Sequence, residues 1–73
     1  MDCINPDGSL ATTARTILTS LIQPGSLEAI ARNTNIAGHR IRPCLQELLD
    51  AGLVVENQGS YHITDVGLAL LNR

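Results

Sequence analysis

The near absence of aromatic side chains constrains this chain more than any other feature. Its 73 residues include one Tyr and neither Phe nor Trp, although 44% of them are apolar. The core must therefore be filled by Leu, Ile, Val and Ala, the filling typical of small helical domains. The length allows one domain with a small core, so oligomerisation or another additional source of stability is expected. With 16% charged residues, the composition excludes a disordered or collagen-like chain.

The distribution of apolar residues and cysteines predicts a cytoplasmic protein. No apolar run approaches the roughly 18 residues that span a bilayer, and no basic-then-apolar start marks a signal peptide. We therefore expect a soluble chain with no membrane association. Cys3 and Cys44 form no C-x-x-C motif, so two reduced thiols are the expected state. Together with His39 and His62 they lack ligand spacing, so neither a metal site nor a cofactor is expected.

The charge is unevenly distributed along the chain. The net charge is −2, with five Arg, no Lys and seven acids, which by itself argues against nucleic acid. Residues 29–46, however, carry three Arg and no acid, while the segments before and after them have net charges of −2 and −3. The arginines of this basic block are Arg32, Arg40 and Arg42. Such a block produces a local positive potential, although three Arg in a short segment are equally explained by chance.

The first part of the chain divides into a loose segment and a helix. Pro6, Asp7 and Gly8 form a turn signal, so we expect a flexible N-terminal segment over residues 1–8 and a folded domain over residues 9–73. A helical pattern starts at Ser9, where apolar residues recur at steps of three and four. Pro24-Gly25 ends it.

Two further helices are predicted, separated by a tight turn. The second covers about 26–33, with Ser26 as its N-cap. Asn35 is the expected left-handed residue of the turn, because after Gly it best tolerates a positive φ. The third helix covers 38–51 and stops at Gly52. Its inward face is expected to consist of Ile41, Cys44, Leu45 and Leu48.

Beyond Gly52 the apolar period changes from three or four to two. Residues 53–56 and 60–63 are short β-type runs, and 57–59 between them give a hairpin signal. A last short helix is predicted over 65–72. It carries apolar residues on more than one face, which are Val66, Leu68, Leu70 and Leu71.

This order of elements resembles a winged helix-turn-helix domain of the kind found in MarR- and ArsR-like regulators and small phage or plasmid regulators. The segment LEAIARNTNIAGHRIRPCLQELLDAGLV resembles the second helix, turn and recognition helix of that family. AGLVVENQGSYHITDVGLALL resembles the end of that helix, the wing, and the Tyr-x-x-Thr-x-x-Gly entry to the last helix, here Tyr61, Thr64 and Gly67. The resemblance implies an α+β, mostly helical fold with a three-helix core, a two-stranded β wing and a short C-terminal helix.

The resemblance also implies a surface that binds double-stranded DNA. In a helix-turn-helix the N-terminal part of the recognition helix enters the major groove, which assigns this role to the helix 38–51. At about 100° per residue, three side chains are expected to face base edges: His39, Arg42 and Gln46. Arg40 and Arg32 are expected to meet phosphates. The alternative is an ordinary solvated polar face.

The predicted wing contacts and caps depart from the family pattern. Asn57, Gln58 and Ser60 are the expected contacts of the wing with a phosphate or the minor groove, but none carries a positive charge, and Glu56 opposes the approach of DNA. Ala37 stands where the family usually has a capping Ser, Thr or Asn. Asp50 lies on the face of the proposed base readers. Binding by one copy is therefore expected to be weak and salt-sensitive.

Two functions follow from these features. The first is a sequence-specific transcriptional regulator, acting as a homodimer because the last helix has too many apolar residues for one inward stripe; these Leu equally well cover the base of a small core. The second is a winged-helix module that docks a protein partner or serves in a larger complex. An enzyme is not expected, because the chain lacks paired carboxylates and a phosphate-binding glycine loop.

Overall fold

The computed structural model describes residues 3–73, which fold into helices and a two-stranded antiparallel sheet in the predicted order. The elements are α1 Thr12–Ser20, α2 Leu27–Thr34, α3 Gly38–Asp50, β1 Val54–Asn57, β2 Ser60–Ile63 and α4 Asp65–Leu71. α1 begins later than the predicted start at Ser9, because Leu10 pairs with Ile4 in an isolated antiparallel bridge. The α+β, mostly helical fold class is confirmed.

The core is aliphatic, as the composition predicts. α1 buries Ala14, Ile17 and Leu18 against α2, α3 and α4. The predicted inward face of α3 is confirmed, since its buried residues are Ile41, Cys44, Leu45 and Leu48. Tyr61, the one aromatic residue, is half-buried and packs on the edge of this core.

The connection from α2 to α3 has the predicted turn chemistry. The Ser26 hydroxyl accepts a hydrogen bond from the Ala29 N–H at 3.2 Å and caps α2. At the other end of α2, Asn35 adopts the left-handed conformation with φ 62° and ψ 25°. This single left-handed residue redirects the chain into α3, whose own start at Ala37 has no side-chain cap, also as predicted.

Substitution of Asn35 tests the energetic role of this turn. A Cβ-bearing residue that lacks the local hydrogen bonding of Asn is disfavoured in the left-handed region by about 1–2 kcal/mol, whereas glycine is not. We expect Asn35→Ala to lower the free energy of unfolding by about 1 kcal/mol and Asn35→Gly to change it by a few tenths. Urea denaturation of both variants measures the difference, and equal stabilities would contradict it.

The end of α3 and the wing also follow local rules. Gly52, at φ 77°, ends α3 in a Schellman motif, in which the Leu53 N–H bonds to the Leu48 carbonyl at 2.9 Å and the Gly52 N–H to the Leu49 carbonyl at 3.1 Å. The hairpin turn consists of Gln58 and Gly59, both with positive φ, which is the type I′ turn that suits the twist of two strands.

A third chain segment joins the wing, and the sequence did not predict it. Gly25, just before α2, exchanges two backbone hydrogen bonds with Tyr61 of β2, at 2.8 and 3.0 Å. The Ile63 N–H also bonds to the Leu21 carbonyl at 3.2 Å. A single bridged residue leaves no alternating pattern in a sequence. These bonds fix the wing to the loop between α1 and α2.

The N-terminal segment is attached to the domain, and its cysteine is not a free thiol. Cys3 and Cys44 form a disulfide with Cα atoms 5.4 Å apart, so the expectation of two reduced thiols is wrong. The Ile4–Leu10 bridge turns the segment back onto α3, and this places two cysteines that are distant in sequence next to each other. Within the segment 1–8, Cys3 and Ile4 are bonded to α3, whereas residues 6–8 are exposed and residues 1 and 2 lie outside the described residues. The flexibility of this segment stays a prediction.

Candidate nucleic-acid interface

The solvent side of α3 has a polar ridge. The residues that helical geometry placed opposite the buried face are exposed in the structure. From the N-terminal to the C-terminal end of α3 they are His39, Pro43, Gln46 and Asp50. The ridge begins at the first turn of α3, the part that enters the major groove in helix-turn-helix proteins.

One flank of the ridge faces the wing. Arg42 and Gln46 border a hollow of about 150 Å³ that is also lined by Leu27 of α2 and Tyr61 of β2. Leu45 and Leu49 complete its lining. The hollow therefore lies where α2, α3 and the wing meet, and its apolar lining carries a guanidinium and an amide. Apolar surface beside hydrogen-bonding groups suits a base edge, in which a thymine methyl lies next to donors and acceptors.

The other flank of the ridge faces the N-terminal segment. Arg40 lies on this flank, exposed, two helical turns before Glu47. The Glu47 carboxylate accepts a hydrogen bond from the Ile4 N–H at 3.4 Å. Arg40 and Arg42 thus lie on opposite sides of the ridge, as helical geometry predicted.

One proposed base reader is engaged within the helix. The Gln46 Nε2 donates a hydrogen bond to Asp50 Oδ1 at 3.0 Å. Gln and Asp four residues apart on a helix commonly pair in this way, so the contact was predictable from spacing but was not predicted. To bind adenine with its amide, Gln46 must turn away from Asp50. The carboxylate itself is a suitable acceptor for the amino group of cytosine.

The wing tip is uncharged, with one acid directly behind it. Asn57, Gln58 and Gly59 are exposed, and Ser60 is half-buried opposite Asn57. Glu56 Oε2 accepts a hydrogen bond from the Gly59 N–H at 2.7 Å. The sequence indicated only that Glu56 repels DNA, whereas the structure shows that its carboxylate also braces the turn.

Arg32 lies apart from the ridge, exposed in the last turn of α2. A cation in that position interacts favourably with the negative end of the helix dipole, so Arg32 has a structural role that does not depend on a partner. Together with Arg40 and Arg42 it forms the basic block 29–46, which contains no acid. The positive charge of the chain is concentrated on α2, the turn and the first half of α3.

The fold is that of a helix-turn-helix protein with a wing. It has three packed helices, a turn between α2 and α3 that is fixed by one left-handed residue, and a hairpin beside α3. The chain belongs to the winged helix-turn-helix family, whose family model matches residues 12–73. Domains of this class are generally DNA-binding. The match does not assign the chain to a subfamily, so the resemblance to MarR- and ArsR-like regulators stays a prediction. A comparison with curated protein sequences returns no match.

No helix among residues 3–73 is long and apolar enough to cross a membrane.

Proposed function

We propose that this protein is a sequence-specific DNA-binding transcriptional regulator that inserts the first half of α3 into the major groove. The observation that carries the proposal is the position of Arg40 and Arg42 on the two flanks of the exposed ridge of α3, in a block without acids. Arg42, with His39 and Gln46, contacts base edges, and Arg40 and Arg32 contact phosphates. We place the protein in the cytoplasm, as for the small phage and plasmid regulators that the sequence resembles.

The wing has a secondary part in this proposal. Asn57, Gln58 and Ser60 hydrogen-bond to a phosphate or to the minor groove, and their lack of charge makes this contact a weak one. Affinity then comes mainly from the arginines of α2 and α3. It falls steeply with salt concentration, because each neutralised phosphate releases counterions.

We further propose that the protein acts as a homodimer, because one copy offers few cations. α4 leaves Val66 61% exposed and keeps Leu68, Leu70 and Leu71 only half-buried. α1 packs beside α4 and would take part in a two-fold contact. A dimer doubles the basic ridges and reads a palindromic site.

Selection of bound sequences from a random DNA pool at low salt tests the proposed function, and sedimentation in solution tests the dimer. We expect an enriched palindrome and a mass of two chains. A motif without symmetry together with a monomer mass would contradict the dimer alone. No enriched motif, with capture of a specific protein by the same ridge, would contradict DNA binding and support the protein-docking alternative.

Substitution of Glu56 separates its two effects on the wing. In Glu56→Gln the amide oxygen still accepts the Gly59 N–H, while the negative charge next to the wing tip is removed. We expect affinity for DNA to rise by about two- to five-fold at low salt, corresponding to removal of one repulsive charge near a screened surface. Fluorescence anisotropy with labelled DNA measures it. Glu28→Gln, a change of the same charge on exposed α2, is the comparison, and an equal rise in both variants would show that only net charge matters.

A further inference from the structure

The first turn of α3 has a sequence that is unfavourable for the start of a helix, although the Arg40 and Ile41 N–H groups donate to the Ala37 carbonyl at 2.9 and 3.1 Å. Ala37 supplies no side-chain cap, and the turn begins with Gly38, the poorest helix former after proline. Pro43 lies inside the helix and has no N–H, so the carbonyl of His39 loses its usual partner. The stretch from Gly38 to Pro43 carries the three residues that the proposed function needs most: His39, Arg40 and Arg42.

The disulfide attaches to α3 directly after this weak point. Cys44 follows Pro43 and is 1% exposed on the buried face of the helix. Its partner Cys3 belongs to a segment that also donates the Ile4 N–H to Glu47 Oε1 at 3.4 Å. The segment therefore holds α3 at two positions one helical turn apart, at Cys44 by a covalent bond and at Glu47 by a hydrogen bond.

We infer that the Cys3–Cys44 disulfide is a redox-responsive clasp that orders the first turn of α3, so that the oxidised protein binds DNA more tightly than the reduced protein. The inference rests on the proposed DNA-binding function. With the bond intact, the turn is ordered before DNA arrives; after reduction, part of the binding free energy is used to order it. The clasp thus couples the thiol redox state to the interface.

The chemistry of the switch is thiol–disulfide exchange with a dithiol. One thiolate of the dithiol attacks Sγ of Cys3, which at 6% exposure is the more accessible of the two cysteines, and the Cys44 thiolate leaves and takes up a proton. The second thiol of the dithiol then attacks the mixed disulfide and releases Cys3. The protein disulfide gains two electrons and two protons, and the dithiol is oxidised to a disulfide. Access requires only local opening of residues 3–10, which lie outside the helices.

Hydrogen exchange tests the clasp without DNA. The full chain is compared in its oxidised form and after reduction by dithiothreitol, with thiol titration to verify each state and circular dichroism to verify the fold. We expect the amides of Arg40 and Arg42 to exchange at least ten-fold faster after reduction, and the amides of Leu48 and Leu49 in the same helix to change less. An equal increase in exchange rate along the whole of α3 would overturn the inference, since the disulfide would then stabilise the domain as a whole and not the first turn in particular.

DNA affinity is measured on the same samples. We expect reduction to weaken binding to the selected sequence at least five-fold, and Cys3→Ser to bind like the reduced protein whether or not dithiothreitol is present. Ala37→Ser, which supplies an N-cap, should reduce the difference in DNA affinity between the oxidised and the reduced protein. Equal affinity of the folded oxidised and reduced proteins would overturn the inference. Absence of DNA binding by the oxidised protein would instead contradict the proposed function, while the exchange result still decides whether the clasp exists.

The reduced chain must be folded for these comparisons. If it unfolds in buffer, the measurements are repeated with an osmolyte such as trimethylamine N-oxide, which favours the compact state without acting on the disulfide. A reduced chain that stays unfolded there would also overturn the inference, because the bond would then be a requirement of the fold and could not act as a switch.

Discussion

Replacement of Gly67 by alanine is expected to lower the free energy of unfolding by about 3 kcal/mol, at the upper end of the usual cost of overpacking. Gly67 is buried in the first half of α4. A Cβ at this position would overlap the carbonyl oxygen of Leu53 and lie 2.8 Å from Cγ1 of Ile63. One obstacle is backbone and the other a side chain held in β2, so α4 must move away from the wing to admit a methyl group.

Gly38→Ala is the matched control for this prediction. It is the same substitution in a helix, and nothing lies within 4 Å of the added Cβ. Alanine favours the helical backbone over glycine by up to about 1 kcal/mol, so this variant is expected to be as stable as the parent or slightly more stable. Thermal and urea unfolding of both variants gives the comparison. Similar losses in the two variants would mean that Gly67 matters for helix propensity and not for the contact of α4 with Leu53.

The prediction about Gly67 shows what the sequence could convey about the fold. Local rules have signatures a few residues long, so the cap at Ser26, the left-handed Asn35 and the stop at Gly52 were predictable. The family pattern pointed to Gly67 but not to the reason for a glycine there, because the oxygen that Gly67 approaches belongs to Leu53, in the connection between α3 and β1. Contacts between distant segments have no such signature. The bridge from Gly25 to Tyr61 and the Cys3–Cys44 disulfide were therefore missed.

The same distinction holds for the candidate interface. Helical geometry correctly placed His39 and Gln46 on the exposed ridge and the two arginines on its flanks. It did not show that Asp50 holds the Gln46 amide, or that the Arg42 flank opens into a hollow bordered by Tyr61. Exposure was predictable because it depends on one helix. The neighbours of each exposed side chain depend on how other elements pack around that helix.

Replacement of both Arg40 and Arg42 by alanine is expected to weaken DNA binding at least ten-fold at low salt while leaving stability nearly unchanged. One bidentate contact to guanine contributes about 1–3 kcal/mol, and a lost phosphate contact reduces the salt dependence by about one unit of the logarithmic slope. If Arg42 reads a base and Arg40 a phosphate, the single variants must differ. Arg42→Ala should relax the sequence preference at one position, whereas Arg40→Ala should weaken binding to all sequences and flatten the salt slope.

A double variant of the two arginines outside the basic block controls for net charge. Arg15 and Arg73 both line a separate hollow near Asp7 and Leu70, so Arg15→Ala combined with Arg73→Ala lowers the charge equally without altering α3. Arg15 also donates a hydrogen bond to the Leu71 carbonyl at 2.9 Å and so joins α1 to α4, the helices of the proposed dimer contact. Urea unfolding and sedimentation must therefore accompany the binding titrations. If this variant stays folded with an unchanged mass and loses as much affinity as the α3 variant, attraction is a property of the total charge and the ridge of α3 is not the interface. If the variant of Arg15 and Arg73 keeps most of its affinity, DNA binding depends on the position of Arg40 and Arg42 on α3 and not on the total charge.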